Sequence, residues 1–371
     1  MLNNIIKKMK YNFDKKLVNF ILKKKIYQKR DPDLHQFMLM FGSLVFQLYR
    51  SGMVLGLYDL LDKEEGLKFE ELSQKLQIED YPLKVLLNSL EFLQVILKIK
   101  DKYYNNPTIT FSALKKHDKL FSMNSTIEYF NMVVDPTFTE LPASIKENKP
   151  MGLYKVYGED CNSFYEEISN DPTKGEYFST FMQGFTNVNT DEVTSESIFG
   201  KCKDILDVGG NKGVISVALA KKHPKLKATV FDYPEVIKLA QQRFEKHNLS
   251  NRLSVLSGNA LESIPTGYDC MTMFHFIDIF SPEQNKIILK NIYNALPDKG
   301  IVCIFTPITY LNKRCVNDLM GNYFLNLANG KGEFYNVEEI KHWLGLTKFV
   351  IIEEKYFTFN EVFLVAQKNM N

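Results

Sequence analysis

Asp204-Ile205-Leu206-Asp207-Val208-Gly209-Gly210-Asn211-Lys212-Gly213 decides the fold of this chain. An apolar strand runs into Gly209 and Gly210, and Gly213 opens a helical run, VISVALAKKH. Glycine is needed where a backbone turns sharply and lets a ligand approach without a Cβ. The helix that follows points unpaired amides at whatever lies over the turn, so the site suits an anionic group.

Working outward, strand-like and helical runs alternate. Strands are expected at 204–209, 227–232, 253–258, 268–276, 300–308, 349–357 and 361–367, with helices at about 213–222, 234–247, 282–296 and 313–329. Such alternation means βαβ units and a mainly parallel α/β sheet. Only TFNE separates the last two strands, which predicts a closing antiparallel hairpin. Asp232 ends the second strand, where a carboxylate can accept from both hydroxyls of a ribose. Asn259 follows the third strand, where an amide can read an adenine edge. A glycine loop alone is weak evidence of a nucleotide; the three together are much stronger. GGNKG lacks the G-x-G-x-x-G spacing of a dinucleotide site.

Toward the N-terminus, residues 34–118 read as a small helical module ending in a hairpin. Phe37 to Leu61 carries an apolar helical pattern, LKFEELSQKLQI is a short strand then a helix, and YPLKVLLNSLEFLQVI is a second helix. LKIKDKYYNNPTITFS alternates like two strands around Asn105, Asn106 and Pro107. This is a winged-helix pattern. Its presumed recognition helix offers Tyr81, Leu83, Val85, Leu86 and Leu87, with Lys84 almost its only cation, so packing or dimerisation is expected and nucleic acid is not. Residues 119–200 read as irregular helices, with turns at Asp135-Pro136-Thr137 and at Lys149-Pro150. Residues 1–30 are basic and follow helical spacing through Leu2, Ile5, Met9, Phe13, Leu17 and Phe20. Two readings stand: an arm packed on a partner subunit, which is preferred, or an amphipathic helix on an anionic membrane. The division expected is a basic arm over 1–33, a dimerisation and substrate-lid region over 34–185, and a Rossmann-like domain over 186–371.

Composition bounds the function. The chain has 371 residues, 45% hydrophobic and 24% charged, with a net charge of +2. That is ordinary for a globular protein and gives no global case for a nucleic-acid partner. No run is long and apolar enough to span a membrane. The cysteines at 161, 202, 270, 303 and 315 form no CxxC pair and read as reduced thiols, which fits a cytoplasmic enzyme. The histidines show no metal-ligand spacing, and no metal is expected.

These motifs resemble the S-adenosylmethionine-dependent O-methyltransferases that include plant caffeic-acid, hydroxyindole and bacterial polyketide-tailoring enzymes. DVGGNKG is similar to the family's D-V-G-G-G-x-G, ATVFDYPEVI to T-V-F-D-L-P-x-V-I, and SGNALESIPTGYD to G-D-M-F-x-x-(V/I)-P-x-x-D. FSTFMQG resembles the F-x-x-A-M helix beside the substrate pocket, and VLGLYDLL with FEELSQKL the dimerisation domain. The resemblance implies S-adenosylmethionine as cofactor, a small-molecule acceptor and a homodimer. It implies that Gly209, Gly210 and Gly213 cradle the methionine part, with Asp207 and Phe274 in the same cofactor set. Asp232 would hold the ribose, Tyr233 would lie against the adenine, and Asn259 would take the place of an Asp at its amine. Lys212 could pair with the cofactor's carboxylate or be solvated.

The family places a catalytic His in an H-D-W segment. SPEQ fixes the register of MFHFIDIFSPEQ and puts Asp278 at that position, with His275 three residues earlier. Of two supporting acids, one position holds Thr306 and the other is offered by Glu333. An ordinary Asp, near pKa about 3.9, matches a phenol near about 10 poorly. Burial beside Glu333 would raise one of the two, since like charges resist joint ionisation. The catalytic candidates are therefore Asp278, Glu333 and His275. Phe178, Met182, Phe276, Met320 and Tyr323 are candidates for an apolar substrate wall, or core. Methylation of a hydroxyl or amine is the leading expectation. The alternatives are non-methylating chemistry on the same fold (hydroxylation, decarboxylation or cyclisation) and a catalytically silent S-adenosylmethionine-binding protein.

Overall fold

A computed structural model describes residues 36, 38–64, 66–106, 123–161, 164–313, 315–328 and 331–369. The basic arm over 1–33 lies outside them. By contacts the chain divides into two compact units, 1–113 and 114–371. No helix among the described residues is long and apolar enough to cross a membrane.

The first unit is helical, with a three-stranded sheet of β1 (Leu67–Lys68), β2 (Ile96–Ile99) and β3 (Lys102–Asn105) in the order β1-β3-β2. The apolar helical pattern is carried by two helices, Gly42–Val54 and Leu57–Lys63, interrupted at Leu55 and Gly56. The helix Asp80–Phe92 buries Leu83, Leu86, Leu87 and Leu90 on one face and leaves Tyr81, Val85 and Phe92 exposed. The hairpin among the described residues turns at Lys100 and Asp101, with Lys100 in the left-handed region; Pro107 and the strand expected after it lie outside the described residues. Asn105 instead pairs with Ile96 and donates from Nδ2 to the Tyr58 carbonyl at 2.8 Å, so a turn-forming residue here ties strand to helix.

The second unit carries a seven-stranded sheet, in the order β6-β5-β4-β7-β8-β10-β9. Its strands are β4 (Asp204–Val208), β5 (Lys227–Asp232), β6 (Leu253–Ser257), β7 (Cys270–Phe274), β8 (Ile301–Pro307), β9 (Phe349–Phe357) and β10 (Glu361–Lys368). β4 to β8 pair in parallel, and β10 runs antiparallel to both β8 and β9. Strand order reverses between β4 and β7, and ligands in open sheets of this kind bind outside the strand ends at that reversal. Side chains alternate across β4. Ile205 enters one core with the helices Val214–Lys222 and Pro234–Lys246, and Leu206 and Val208 enter the other with Pro282–Ala295 and Val337–Leu346. A fully buried Leu or Ile stabilises by roughly 2 kcal/mol, so both faces anchor the strand.

Two expected elements differ. The run 313–329 is not one helix but a 3-10 turn Val316–Leu319, a short helix Met320–Tyr323 and a π turn Phe324–Ala328. The run at Asp135 is not a turn but a 3-10 helix, Asp135–Glu140, which follows directly on the π turn Phe130–Val134 and holds Pro136 in its first turn.

Candidate active site

Three left-handed residues stand in the loop that follows β4. Gly209 and Gly213 have φ of +71° and +68°. A Cβ on Gly209 would come within 2.0 Å of the Phe276 ring, and one on Gly213 within 2.5 Å of Phe244. Asn211 also takes a left-handed φ, +49°, as Asn tolerates. Beneath the loop, Asp207 is buried, and Oδ2 accepts from Ser216 Oγ at 2.7 Å and Oδ1 from Thr272 Oγ1 at 2.8 Å. Burial pushes its carboxyl up to about 6 against the pull of those two hydroxyls. Asp207 thus supports the loop from below.

Asp232 sits above, partly exposed. Its Oδ2 accepts from the Asn211 amide at 3.0 Å and its Oδ1 from the Tyr233 amide at 2.8 Å. Each oxygen keeps a lone pair. Burial raises this carboxyl and the two amides oppose it, with a net upward direction. Tyr233 is half exposed beside it. Asn259 is turned into its own loop, donating to Glu262 and accepting from the Leu261 amide at 3.0 Å. Phe274, expected beside the cofactor, packs in the core against Phe199, Phe305 and Phe363. A loop held open by left-handed residues, facing a carboxylate with spare lone pairs at a strand-order reversal, fits a nucleoside bearing a polar tail.

The second half of the site follows β7. His275 has φ +49° and donates from Nε2 to Glu361 Oε1 at 2.6 Å, with its ring stacked on Phe305. Asn189 donates to the other oxygen of Glu361. Glu361 is 3% exposed. Burial opposes charge on His275, but the Glu361 carboxylate outweighs it, with a smaller contribution from Asp278, so the imidazole is held above the usual histidine range. His275 Nε2 is therefore engaged by Glu361, and its imidazole holds a proton more readily than a free histidine.

Asp278 lies in the 3-10 turn Ile277–Ile279, 8% exposed, and its Oδ1 has no hydrogen-bond partner. Burial raises its carboxyl, His275 draws it down, and Glu361 pushes it up again; the net direction is upward. The acid expected beside it was Glu333. Gly332 does abut the Asp278 carbonyl, but the Glu333 side chain is exposed, and the carboxylate that bears on it is Glu339. The acid that bears on Asp278 is Glu361. Thr306, where the resemblance expected an acid, pairs with Val362 on the neighbouring strand, one position from Glu361. Nothing singled out Glu361 or Asn189 in the sequence, although an acid opening the apolar run EVFLVA was a legible signal.

The apolar residues converge in part. Phe178 meets Tyr129 and Phe164 with ring centroids 5.4 Å apart in each case. The Tyr323 hydroxyl is 2.8 Å from that of Tyr129, and Met320 packs on the same cluster. Phe276 lies instead against Gly209 and Phe280, and Met182 is 36% exposed. Tyr129, Phe164 and Phe181 belong to the same cluster and were not anticipated. Among the described residues no group of His, Cys, Asp and Glu could hold a metal.

Residues 138–346 match the O-methyltransferase domain family, and residues 35–103 match the Dimerisation2-like domain. The chain belongs to the O-methyltransferase domain family and is an S-adenosylmethionine-dependent small-molecule methyltransferase. It is 26% identical over 272 residues to an L-tyrosine C(3)-methyltransferase of Streptomyces lavendulae, covering 73% of this chain and 74% of the relative. It is 22% identical over 298 residues to the N,N-dimethyltransferase OxyT of Streptomyces rimosus, covering 78% and 83%. The apo structure of the S-adenosylmethionine-dependent methyltransferase SibL superposes with a TM-score of 0.80 at 22% identity, covering 90% of this chain and 98% of that one.

Proposed function

We propose that this enzyme methylates an aromatic acceptor through an acidic hydroxyl or an amine presented to Asp278. The observation that carries this is the buried Oδ1 of Asp278, which has no partner of its own. A buried acceptor atom without a donor is costly, and an acceptor O–H or N–H would satisfy it. Gly209, Gly210, Gly213 and Asp232 would hold the cofactor, with Tyr233 and Asn259 at its base. When bound, S-adenosylmethionine supplies an electrophilic methyl group on a sulfonium.

Asp278 would take the proton from the acceptor O–H or N–H as that atom gains the methyl group, whose bond to the sulfonium breaks to leave the neutral thioether. The raised carboxyl is a better match for that proton than an ordinary Asp. His275, bonded to Glu361, opposes part of the upward push that burial gives the Asp278 carboxyl. Phe178, Tyr129 and Tyr323 wall off water and hold an aromatic ring in line, which supplies much of the catalysis where little base strength is needed. The N,N-dimethyltransferase relative supports an amine as one acceptor class. The Dimerisation2-like match and the exposed Tyr81, Val85 and Phe92 support a homodimer built through the N-terminal unit, and the free thiols suit the cytoplasm.

The test is methyl-labelled S-adenosylmethionine with paired acceptors, aromatic amines and phenols of graded acidity. Transfer to amines and acidic phenols, falling as phenol pKa rises, supports the reading. Tight cofactor binding with no transfer to any member would favour non-methylating chemistry.

A further inference from the structure

Lys212 occupies the position that the family's D-V-G-G-G-x-G loop gives to a small residue. Its side chain is not solvated. The ammonium is half-buried and donates to Ser179 Oγ on the helix Pro172–Val193, crossing from the glycine loop to the helix that carries Phe178 and Met182. That hydroxyl is its hydrogen-bond partner, and among the described residues Lys212 forms no ion pair. A second cation stands nearby. Arg243 lies on the helix Pro234–Lys246, half-buried, next to Phe244, whose ring abuts Gly213. Burial lowers the Lys212 ammonium, and Arg243 lowers it further.

A half-buried ammonium whose hydrogen-bond partner is a neutral hydroxyl is half of a site. What it lacks is an anion. The loop that carries it faces the carboxylate of Asp232 through the Asn211 amide, so a ribose at Asp232 directs the amino-acid end of the cofactor along residues 209–213. That end bears the cofactor's one carboxylate.

We propose that Lys212 binds the carboxylate of the cofactor's methionine group, steered by Ser179, with Arg243 adding to the field. This rests on reading residues 209–213 and Asp232 as the cofactor cradle. It assigns to a departure from the family's loop a specific task, which is to distinguish a nucleoside bearing an amino acid from one bearing a simple amine. It also makes the ammonium a link between bound cofactor and the helix of the acceptor wall.

The experiment is calorimetry on the full chain with two ligands: S-adenosylhomocysteine and its decarboxylated counterpart, the same thioether nucleoside ending in a 3-aminopropyl chain. The wild type is expected to bind the first at least about tenfold tighter. Lys212→Met keeps the length and removes the charge; it should lose about tenfold for S-adenosylhomocysteine and under about twofold for the decarboxylated ligand, closing the gap. Lys212→Arg should restore most of the preference. Equal weakening of both ligands by Lys212→Met, or unchanged S-adenosylhomocysteine affinity, would overturn the assignment. So would Ser179→Ala losing as much as Lys212→Met, since the tie and not the charge would then matter. Failure of the wild type to bind either ligand would instead bring down the cradle reading, and this proposal with it.

Discussion

His275 Nε2 and Glu361 Oε1 are 2.6 Å apart and both almost buried, and this bond joins the end of β7 to the start of β10. Its consequences reach stability, because a buried pair broken on one side leaves the other charge uncompensated. Glu361→Ala is expected to cost about 3 kcal/mol, and Glu361→Gln less, since the amide can still meet His275 and Asn189. Urea unfolding of the two variants checks this; equal stability to wild type would mean the pair is immaterial.

The same pair gives a pH signature. His275 is raised in the folded chain. Its contribution is therefore fully present below the unfolded histidine value, near about 6.5, and is lost as pH rises through the folded one. Stability should fall on the alkaline side of neutrality in the wild type, and this fall should vanish in Glu361→Gln. Urea midpoints measured from pH 6 to 9 would show it; parallel curves for the two proteins would contradict it.

Asp207 predicts a separate dependence at acid pH. Its folded value of about 6 lies above the ordinary 3.8, so the folded chain holds a proton that the unfolded chain releases. Stability from this group is present below pH 3.8 and is lost up to about 6, by an amount on the order of 3 kcal/mol. Asp207→Asn is expected to gain on the wild type by that order across this window, as seen in melting curves at stepped pH. A constant difference between the two would contradict the buried carboxyl.

Gly209→Ala should abolish most cofactor binding. The added methyl would meet Phe276 at 2.0 Å on a backbone that L-residues rarely adopt. A loss of more than about tenfold in S-adenosylhomocysteine affinity is expected, from strain of roughly 1–2 kcal/mol plus the displaced ring. Calorimetry decides it, and unaltered binding would place the ligand elsewhere.

The strands of the large sheet were legible because each is a short apolar run bounded by polar or glycine residues; β5 and β9 lie where the pattern put them. The helix Val337–Leu346 was legible and overlooked. Asn336 accepts from the Glu339 amide while Glu339 reaches back to the Asn336 amide, a capping box readable as N-x-x-E. The site was half legible. Glycines and Asp232 announce themselves by local conformation, but the partner of His275 comes from 86 residues away, and only the pairing of β10 with β8 brings it there. Glu333 was the wrong acid for the same reason. Nearness of Gly332 to the Asp278 backbone does not aim the next side chain at the carboxyl.

In the proposed reaction, Asp278 is the group that faces the acceptor. Single-turnover methyl transfer by Asp278→Asn, beside its S-adenosylhomocysteine affinity, tests this most directly. The prediction is a loss of about 10²–10⁴-fold in transfer with cofactor affinity within about twofold of wild type. Transfer at the wild-type rate would show that the proton leaves by another route and that the lone buried oxygen of Asp278 has no part in the reaction.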